Sequence, residues 1–510
     1  MSKPLFVLNG VLAAVYFIGI LTVFPVGNRY LFWIFIVGEV FHLWQLFTYL
    51  YTVWDVDFER PFQADFFPPV DVFITVATEP VEMVEETVRA CLAMSYPDHR
   101  VFILNDGYVA GSEHWRDMEQ LAMSLGIQCI TRRVSGGAKA GNINHALRLT
   151  ESPYVVIFDA DHVPHQDFLL KTMGYFADPD MGFIQTPQYY KNHLMNPVAA
   201  GSWEQQELFF GPIMKGKNRL NAVFMCGTNM VVRRQALVEA GGMCETNIAE
   251  DFLTSLFIHE KGWSSYYLAE VLAEGLAPED FLSYYKQQSR WARGSLEIIF
   301  KYNPLFRGGL TFKQKLQYLT SASFYLCGPI TLMNAFLPII FFFTGQVVFN
   351  ISTMALASVF LPYILLTLYT LYYSSNYSFT FRAIAFSMGA FMIHTKALAA
   401  ALLGLRSSFQ ITSKTKLRGN FLYLTTPHIL YILLATAGAV FAVYRNGFTD
   451  AIFTNIAWGA LNIAIFLPFV EAALPPSSSP VFYENLYYFL FPRRIGEREG
   501  AGDSYYDERL

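Results

Sequence analysis

Long apolar stretches near both ends of the chain limit its fold more than any other feature. A helix needs about 20 apolar residues to cross a bilayer, and six stretches come close to that length: 5–24, 31–53, 323–343, 354–373, 421–443 and 451–470. The first lacks a small-residue cleavage site, so we do not expect a removable signal peptide. The sequence therefore predicts two membrane helices in 1–54 and four more in 301–475, with a large region between them.

The composition agrees with a membrane protein that carries a polar domain. Hydrophobic residues make up 53% of the chain and charged residues only 15%, whereas soluble proteins average about 25% charged residues. The net charge of −5 gives no reason to expect nucleic-acid binding. The five cysteines are scattered and form no Cys-x-x-Cys pair, so we expect free thiols in a reducing compartment.

A further apolar segment, 381–406, is expected to lie on the membrane surface. Its uncharged run at 383–393 is too short to span a bilayer before His394 and Lys396 follow. Six crossings place both termini and the central region on one side of the membrane. Lysines and arginines near 414–418 and in the tail share that side, which makes it cytoplasmic because such residues concentrate there.

Two polar residues, Glu39 and His42, lie one helical turn apart inside the second apolar stretch. Polar groups inside a membrane are costly and often functional. A pair that is satisfied by a neighbouring helix explains them equally well. The sequence leaves both interpretations open.

Between the apolar regions, short β-type runs alternate with helical segments. The runs lie at 70–76, 101–104, 127–130, 154–158 and 182–185, and helices are expected at 81–94 and 141–149. This alternation predicts a mainly parallel sheet with helices on both faces. Ligands bind beyond the carboxyl ends of such strands, and three of the runs end near a carboxylate, at Glu79, Asp106 and Asp159. A solvated turn explains one such ending but explains three poorly.

The densest group of polar side chains is Asp159, Asp161 and His162, directly after a buried-looking strand. Two carboxylates at this spacing repel each other unless a positive group lies between them. For the Asp-x-Asp tripeptide alone, a solvated turn is an equally good explanation. Hard carboxylate oxygens suit Mg²⁺ or Mn²⁺, and Mg²⁺ typically uses one or two carboxylates plus phosphate oxygens. With the other strand ends, the stretch therefore favours a metal-bound diphosphate.

Two more motifs carry charge at expected helix starts. Lys139 lies in the Gly-rich turn GGAKAGNIN (136–144) before a helix. This setting suits phosphate, although a Gly-Gly pair is mostly just a turn. Glu250 and Asp251 lie at the expected start of a helix that runs to Glu260. Favourable interaction with the helix dipole, worth about 0.3–1 kcal/mol, is the alternative explanation for that pair.

The motif QQSRWARG (287–294) places three side chains on one helical face. Gln287, Arg290 and Trp291 are spaced i, i+3 and i+4, and residues at these spacings are neighbours on a helix. A donor, a guanidinium and an aromatic plane together suit a diphosphate and the face of a sugar.

In this order the motifs resemble the processive glycosyltransferases of family 2, which include the catalytic subunits of bacterial cellulose synthases. The matching stretches are Asp106, KAGNIN (139–144), DADH (159–162), FMCGTN (224–229), AED (249–251) and Gln287-x-x-Arg290-Trp291. FQITSK (409–414) is similar to that family's gating loop. The resemblance implies an α/β GT-A-like, Rossmann-like cytoplasmic domain at 55–300. That domain would be inserted in an α-helical transmembrane bundle of about six spans plus interfacial helices, with the gating loop at 405–420 and a cytoplasmic tail at 476–510.

The resemblance also implies a role for each matching residue. Asp251 would be the general base, and Asp161 would ligate Mg²⁺ or Mn²⁺ with help from His162. The other residues form three groups: donor-binding Thr75, Glu79, Asp106, Lys139, Asp159, Gln287 and Arg290; acceptor-binding Cys226, Gly227, Thr228 and Trp291; and gating-loop Phe409, Thr412 and Lys414.

The function that this resemblance implies is polymerisation of a UDP-sugar, with UDP-glucose favoured, into a β-linked polysaccharide that is exported across a bacterial inner membrane. The growing polysaccharide, the lipid membrane and accessory export subunits would be its partners. About 40 residues follow the last apolar stretch, which is too few for the cyclic-di-GMP-binding barrel of many relatives. Two alternatives stay open: transfer of a single sugar to a lipid acceptor, and a transporter whose catalytic domain is degenerate.

Overall fold

The computed structural model describes residues 2–405 and 420–475. Its N-terminal region consists of two long helices, α1 (Lys3–Thr22) and α2 (Arg29–Thr52). Asn28 caps α2, because its side-chain oxygen accepts hydrogen bonds from the backbone amides of Tyr30 and Leu31. The sequence prediction of an N-terminal helix pair is confirmed.

The central domain is built on a seven-stranded sheet with a small three-stranded sheet beside it. The strands are β1 (Val70–Val76), β2 (His99–Asn105), β3 (Gln128–Thr131), β4 (Tyr154–Asp159), β5 (Val163–Pro164), β6 (Met181–Gln185), β7 (Tyr189–Tyr190), β8 (Met230–Arg233), β9 (Ser264–Tyr267) and β10 (Ala273–Gly275). The large sheet has the order β3-β2-β1-β4-β8-β6-β9, and β5-β10-β7 form the small one. In the large sheet only β8 runs antiparallel to its neighbours, so the predicted mainly parallel sheet is confirmed.

Helices cover both faces of the large sheet. Those of the central domain are α3 (Val81–Leu92), α4 (Gly107–Ala110), α5 (Trp115–Leu125), α6 (Ala138–Leu147), α7 (Phe168–Thr172), α8 (Pro197–Leu208), α9 (Met214–Asn218), α10 (Arg234–Glu239), α11 (Glu250–Glu260) and α12 (Phe281–Glu297). Apolar residues of α3 and α5 pack on one face and those of α6 on the other. Alternate residues of β1 therefore enter two separate cores, as a strand buried on both faces requires.

The C-terminal region consists of α13 (Phe312–Ser323), α14 (Cys327–Thr344), α15 (Thr353–Ser374), α16 (Phe381–Gly389), α17 (Phe391–Leu402), α18 (Thr426–Asn446) and α19 (Asp450–Ala472). Within the described ranges, seven helical segments are long and apolar enough to cross a membrane, which agrees with an integral membrane protein. Six of them correspond to the predicted stretches. The seventh, Phe381–Leu402, is the predicted surface segment, and the chain breaks it into α16 and α17 at Ala390. Length and composition do not separate a surface helix from a span, so its placement stays a prediction.

The broken pair α16–α17 contacts the central domain directly. Arg382 of α16 forms a buried ion pair with Glu204 of α8 at 3.0 Å, and Thr380 donates a second hydrogen bond to that carboxylate. Ala292 and Leu296 of α12 share a buried cluster with Ala397 and Ala401 of α17. Through these contacts the C-terminal helices fix α8 and α12, and α12 carries three of the predicted site residues.

Candidate active site

Three parallel strands end at one edge of the sheet and bring predicted site residues together there. Thr75 of β1 pairs in register with Asp159 of β4, and its hydroxyl donates to the Asp159 carboxylate at 3.3 Å. Asp106 follows β2 directly. Glu79 lies in the loop after β1, where its carboxylate accepts the backbone amides of Ala77 at 2.6 Å and Thr78 at 2.9 Å. Glu79, Asp106 and Asp159 therefore all lie at the carboxyl ends of neighbouring strands, as the sequence predicts.

Asp106 is held by a residue that the sequence did not single out. The guanidinium of Arg132 donates to one carboxylate oxygen of Asp106 at 2.7 Å and to the other at 2.5 Å. The same guanidinium donates to the backbone carbonyls of Gly136 and Ala138. Arg132 therefore joins the end of β2 to the Gly-rich turn that carries Lys139.

Lys139 reaches from the first turn of α6 across the edge of the sheet. Its ammonium donates to the carboxylate of Asp159 and to the carbonyl of Gly227 at 2.7 Å. A cation in this place offsets the negative charge of the strand end and suits an anionic ligand beside a helix N-terminus. Helix α6 begins at Ala138, three residues before the predicted start, so Lys139 belongs to the helix itself.

Asp159, Asp161 and His162 form the cluster that could hold a metal ion, with one ligand atom from each lying within 4.8 Å of the others. Asp161 is buried, and its carboxylate accepts the backbone amide of Leu276 at 3.3 Å. His162 is 3% exposed, and its Nδ1 lies 3.4 Å from Asp161. Its Nε2 is buried without a hydrogen-bond partner among the described residues. The two carboxylates supply the hard oxygen ligands that suit Mg²⁺ or Mn²⁺, and the imidazole beside them offers one nitrogen donor to the same group.

The segment 226–228 is hydrogen-bonded by Gln185, the last residue of β6. Gln185 is the second site residue that the sequence did not indicate. The Gln185 side chain accepts the amide of Cys226 at 2.7 Å and donates to the carbonyl of Thr228 at 2.8 Å. Thr228 is fully buried, and its hydroxyl accepts the backbone amide of Asp159 at 2.9 Å. In this structure Thr228 therefore supports the site from inside the domain, while Cys226 and Gly227 lie nearer the cleft.

The backbone of Gly227 lies close to both Asp251 and Lys139. Its φ of +86° is one that glycine adopts readily. A methyl group built on its α-carbon would lie 3.2 Å from the Asp251 carboxylate and 3.8 Å from the Lys139 ammonium. Any side chain here would crowd both groups. The bare backbone at position 227 thus leaves the space between Asp251 and Lys139 open.

Asp251 lies in the first turn of α11 beside Glu250. Its carboxylate accepts the amide of Phe252 at 2.7 Å. Burial, and then the charge of Glu250, raise the pKa of Asp251 to about 7, while Lys139 and Arg290 act in the opposite direction. A carboxyl group with a pKa near neutrality can accept a proton efficiently at physiological pH.

Helix α12 presents Gln287, Arg290 and Trp291, and a glycine sets its approach to α11. Gln287 is buried, and its side-chain oxygen has no hydrogen-bond partner among the described residues. The charge of Arg290 acts on both Glu250 and Asp251, so the guanidinium lies near these two carboxylates. A methyl group built on Gly294 would lie 2.6 Å from the β-carbon of Ala249. The backbone of α12 therefore packs directly on the residues that precede Asp251.

The remaining predicted residues, Phe409, Thr412 and Lys414, lie outside the described residues. Among the described ones, contacts join Thr75, Asp159, Lys139 and Gly227, and Gly227 and the charge of Arg290 lie close to Asp251. Neither Arg132 nor Gln185 had a local signal in the sequence. Arg132 is one of two consecutive arginines after a strand, and Gln185 is the polar end of an apolar run.

Two family descriptions match most of the chain. The family description "Glycosyltransferase like family 2" matches residues 68–294, and "Cellulose synthase" matches 239–469. A putative cellulose synthase 2 of Komagataeibacter xylinus is 31% identical over 80% of this chain but only 28% of its own length. UDP-forming cellulose synthase catalytic subunits of Komagataeibacter sucrofermentans and Pseudomonas fluorescens are each 29% identical, over 93% and 82% of this chain and 66% and 59% of their own lengths.

Among solved structures, a mannosyltransferase of Pyrobaculum calidifontis in complex with GDP-Man and Mn²⁺ has a TM-score of 0.49 and 16% identity, and it covers 74% of this chain and 100% of its own. This chain spans less than two thirds of the curated relatives named above. The two family matches overlap at 239–294 and together run from 68 to 469, a range that contains every predicted site residue. Over residues 68–469 the chain is thus similar to the cellulose synthase-like glycosyltransferases of family 2.

Proposed function

We propose that this protein is a processive, inverting glycosyltransferase that polymerises a UDP-sugar, with UDP-glucose as the first candidate, into a β-linked polysaccharide and passes it across the membrane. The observation that carries the proposal is the position of Gly227, whose backbone adjoins both Asp251 and Lys139. A base on one side and a cation on the other leave a space in which an acceptor hydroxyl and a donor diphosphate can meet.

In the proposed reaction Asp251 accepts the proton of the acceptor hydroxyl as that oxygen attacks the anomeric carbon of the donor. The bond from this carbon to the diphosphate oxygen breaks as the new glycosidic bond forms, and UDP leaves. A single displacement on an α-linked donor gives a β-glycoside. The pKa of Asp251, which burial and Glu250 raise to about 7, suits a base of this kind.

The donor side of the cleft would bind the nucleotide diphosphate. Lys139 and Arg290 supply positive charge where the departing diphosphate becomes more negative, and fixed charges of this kind stabilise a transition state. Asp161 with His162 would hold Mg²⁺ or Mn²⁺, which supplies Lewis-acid stabilisation of the leaving group when bound. Thr75, Glu79, Asp106, Asp159 and Gln287 would orient the nucleotide from the sheet edge and from α12.

The acceptor side would be formed by Trp291, Cys226 and Gly227. An aromatic ring next to a base can stack under a sugar and orient one of its hydroxyls. Helices α14 to α19, which a single transfer does not require, would carry the growing chain outward. The excess of lysine and arginine on the side of the central domain supports a cytoplasmic catalytic domain in a bacterial inner membrane. Accessory export subunits belong to the same proposal.

The test uses the full chain in lipid vesicles with radiolabelled UDP-glucose, with and without Mg²⁺ or Mn²⁺, and Asp251→Asn as the matched control. We expect a metal-dependent product of high molecular weight that a linkage-specific glucanase dissolves and that the variant does not form. A labelled lipid without polymer would replace polymerisation by single-sugar transfer. No incorporation from a panel of UDP-sugars would contradict the enzymatic proposal and favour the transporter.

A further inference from the structure

Lys217 is a buried cation at the junction between the central domain and the C-terminal helices. It lies on α9 and is 1% exposed. Its ammonium donates to the side-chain oxygen of Gln317 at 3.2 Å and to the hydroxyl of Ser321 at 2.9 Å. It also lies 5.0 Å from the centre of the Phe224 ring. Two residues of α13 and one aromatic face thus surround a group that has three N–H donors.

Burial of a charged amine lowers the stability of the folded protein, and a residue that only fills space would not need the charge. Burial lowers the pKa of Lys217 to about 7, because a charged amine loses its hydration inside a protein. None of its contacts in the described ranges is with a carboxylate. An apolar side chain of similar length would fill the space without that cost. The hydrogen bonds of Lys217 therefore call for an explanation other than stability.

The contacts of Lys217 lead in two directions. On the membrane side, Gln317 donates to the hydroxyl of Thr52, the last residue of α2, at 2.8 Å. On the catalytic side, the ring of Phe224 lies 4.4 Å from the ring of Phe252, the residue after Asp251. The segment that begins at Phe224 continues through Cys226 to Gly227, beside the Asp251 carboxylate. Lys217 thus lies between the predicted acceptor segment and α13, which reaches the end of α2 through Gln317.

We propose that Lys217 is a positioning residue. Its ammonium holds the segment 224–227 against Asp251, and its contacts with α13, and through Gln317 with α2, determine where that segment lies. The inference rests on the proposed transfer reaction for its kinetic consequence. Lys217 itself touches neither donor nor acceptor, and it acts through Phe224. A small displacement of reacting groups can cost about a hundredfold in rate, so loss of this contact should be visible in turnover.

The first variant is Lys217→Met in the full chain, which keeps the length of the side chain and removes its charge and donors. We expect kcat to fall about ten- to a hundredfold, while the KM for the UDP-sugar and the affinity for UDP with Mg²⁺ stay within about twofold of the wild type. A purely structural residue would reduce the amount of folded protein without this separation of kcat from KM. Wild-type kcat in folded Lys217→Met protein would overturn the proposal.

The second variant, Lys217→Met with Gln317→Leu, covers the case in which the single variant folds poorly. Replacing both partners of a buried hydrogen bond by apolar groups can be nearly neutral for stability, and Thr52 keeps its bond to the carbonyl of Thr48. We expect the thermal midpoint of the double variant to return towards that of the wild type while kcat stays low. Recovery of both would show that Lys217 serves stability alone.

A readout that needs no catalytic activity separates this inference from the proposed function. Site-resolved alkylation, followed by mass spectrometry, measures the reactivity of the Cys226 thiol, with Cys129 in the same molecule as the internal reference. The charge of Lys217 lowers the pKa of the Cys226 thiol, and only the thiolate is alkylated, so the rates are compared per thiolate, from the pH dependence of alkylation. On that basis we expect Cys226 to react several-fold faster in Lys217→Met, because the segment is no longer held. An unchanged Cys226 rate would contradict the positioning role, whereas failure of the wild type to transfer any sugar would contradict only the proposed reaction.

Discussion

Arg132 and Asp106 form a two-point ion pair that fixes the end of β2 to the Gly-rich turn. The guanidinium contacts both carboxylate oxygens, and it also bonds the backbone of Gly136 and Ala138. The end of β2 and the Gly-rich turn are about 30 residues apart in the sequence, and Arg132 joins them into one part of the predicted donor site. A rigid planar fork can make this set of contacts, and a lysine cannot.

Arg132→Lys should therefore weaken donor binding more than catalysis. We expect the KM for the UDP-sugar to rise about tenfold, because a bidentate, charge-assisted contact to Asp106 is reduced to a single one, with a smaller change in kcat. Arg133→Lys is the matched control, since the neighbouring Arg133 is exposed and lies over the rings of Tyr108 and Trp115. Initial-rate kinetics on both variants check the prediction, and equal KM values for the two would contradict it.

Replacement of the proposed base should abolish turnover and spare nucleotide binding. We expect Asp251→Asn to lower kcat by about 10²- to 10⁴-fold, the usual range for a general base. The affinity for UDP with Mg²⁺, measured by calorimetry, should change little, because Asp251 lies on the acceptor side of Gly227. A variant that retains more than a tenth of the wild-type rate would assign the base elsewhere.

The pH dependence of turnover should follow the ionisation of Asp251. The proposed reaction needs the deprotonated carboxylate of Asp251. Because the pKa of Asp251 is raised to about 7, kcat should rise as the pH increases through about 7 and level off above it. Removal of the neighbouring charge by Glu250→Gln should move this inflection to lower pH, since Glu250 is one of the causes of the raised pKa. Initial rates from pH 5 to 9 measure both profiles, and an inflection that moves upwards would contradict this account.

Metal dependence should require His162 as well as the carboxylates. We expect EDTA to abolish sugar transfer and added Mg²⁺ or Mn²⁺ to restore it. His162→Ala should raise the metal concentration for half-maximal activity about ten- to a hundredfold, a range that is typical for loss of groups that support a metal site. The control is His114→Ala, because His114 is exposed and interacts only with Asp117 among its described ion pairs. A wild-type metal requirement in His162→Ala would remove His162 from the ligand set.

The contact between α12 and α11 should tolerate no side chain at position 294. Gly294→Ala places a methyl group within 2.6 Å of the Ala249 β-carbon, so α12 or the start of α11 has to shift. We expect kcat to fall at least tenfold, because a displacement of about 1 Å can cost a hundredfold. Gly308→Ala is the matched control, since a methyl group there meets no atom within 4 Å. Equal activity of the two variants would show that this close approach is not required.

The parts of the fold that the sequence predicted well are those with a strong local signal. Strands β1, β2 and β4 are rich in apolar, β-forming residues, and the structure places them within a few residues of the predicted bounds. Strands β9 and β10, with the sequences Ser-Ser-Tyr-Tyr and Ala-Glu-Gly, were not predicted. Their strand conformation comes from pairing with β6, β5 and β7, and short polar segments carry no sign of such partners.

The same limit applies to the candidate site. The charged residues of the motifs were predicted because their spacing was local, as in Asp159 and Asp161. Arg132 and Lys217 act through contacts with residues 26 and 100 positions away. Thr228 was predicted to line the acceptor, yet the structure buries it under Asp159. The backbone of 226–228 is hydrogen-bonded by Gln185 of β6, a residue about 40 positions earlier in the chain, so the local sequence carries no sign of this contact.

The polar contacts at the junction of the central domain with the helices have a consequence for engineering. Lys217 meets Gln317 and Ser321, and Glu204 meets Arg382 and Thr380. A chimera that joined this central domain to the helices of a relative would bury an ammonium and a carboxylate opposite whatever side chains the new bundle supplies. Only bundles with matching acceptors and donors at these four positions would accept the transplant, so the central domain and its own helices form a matched pair.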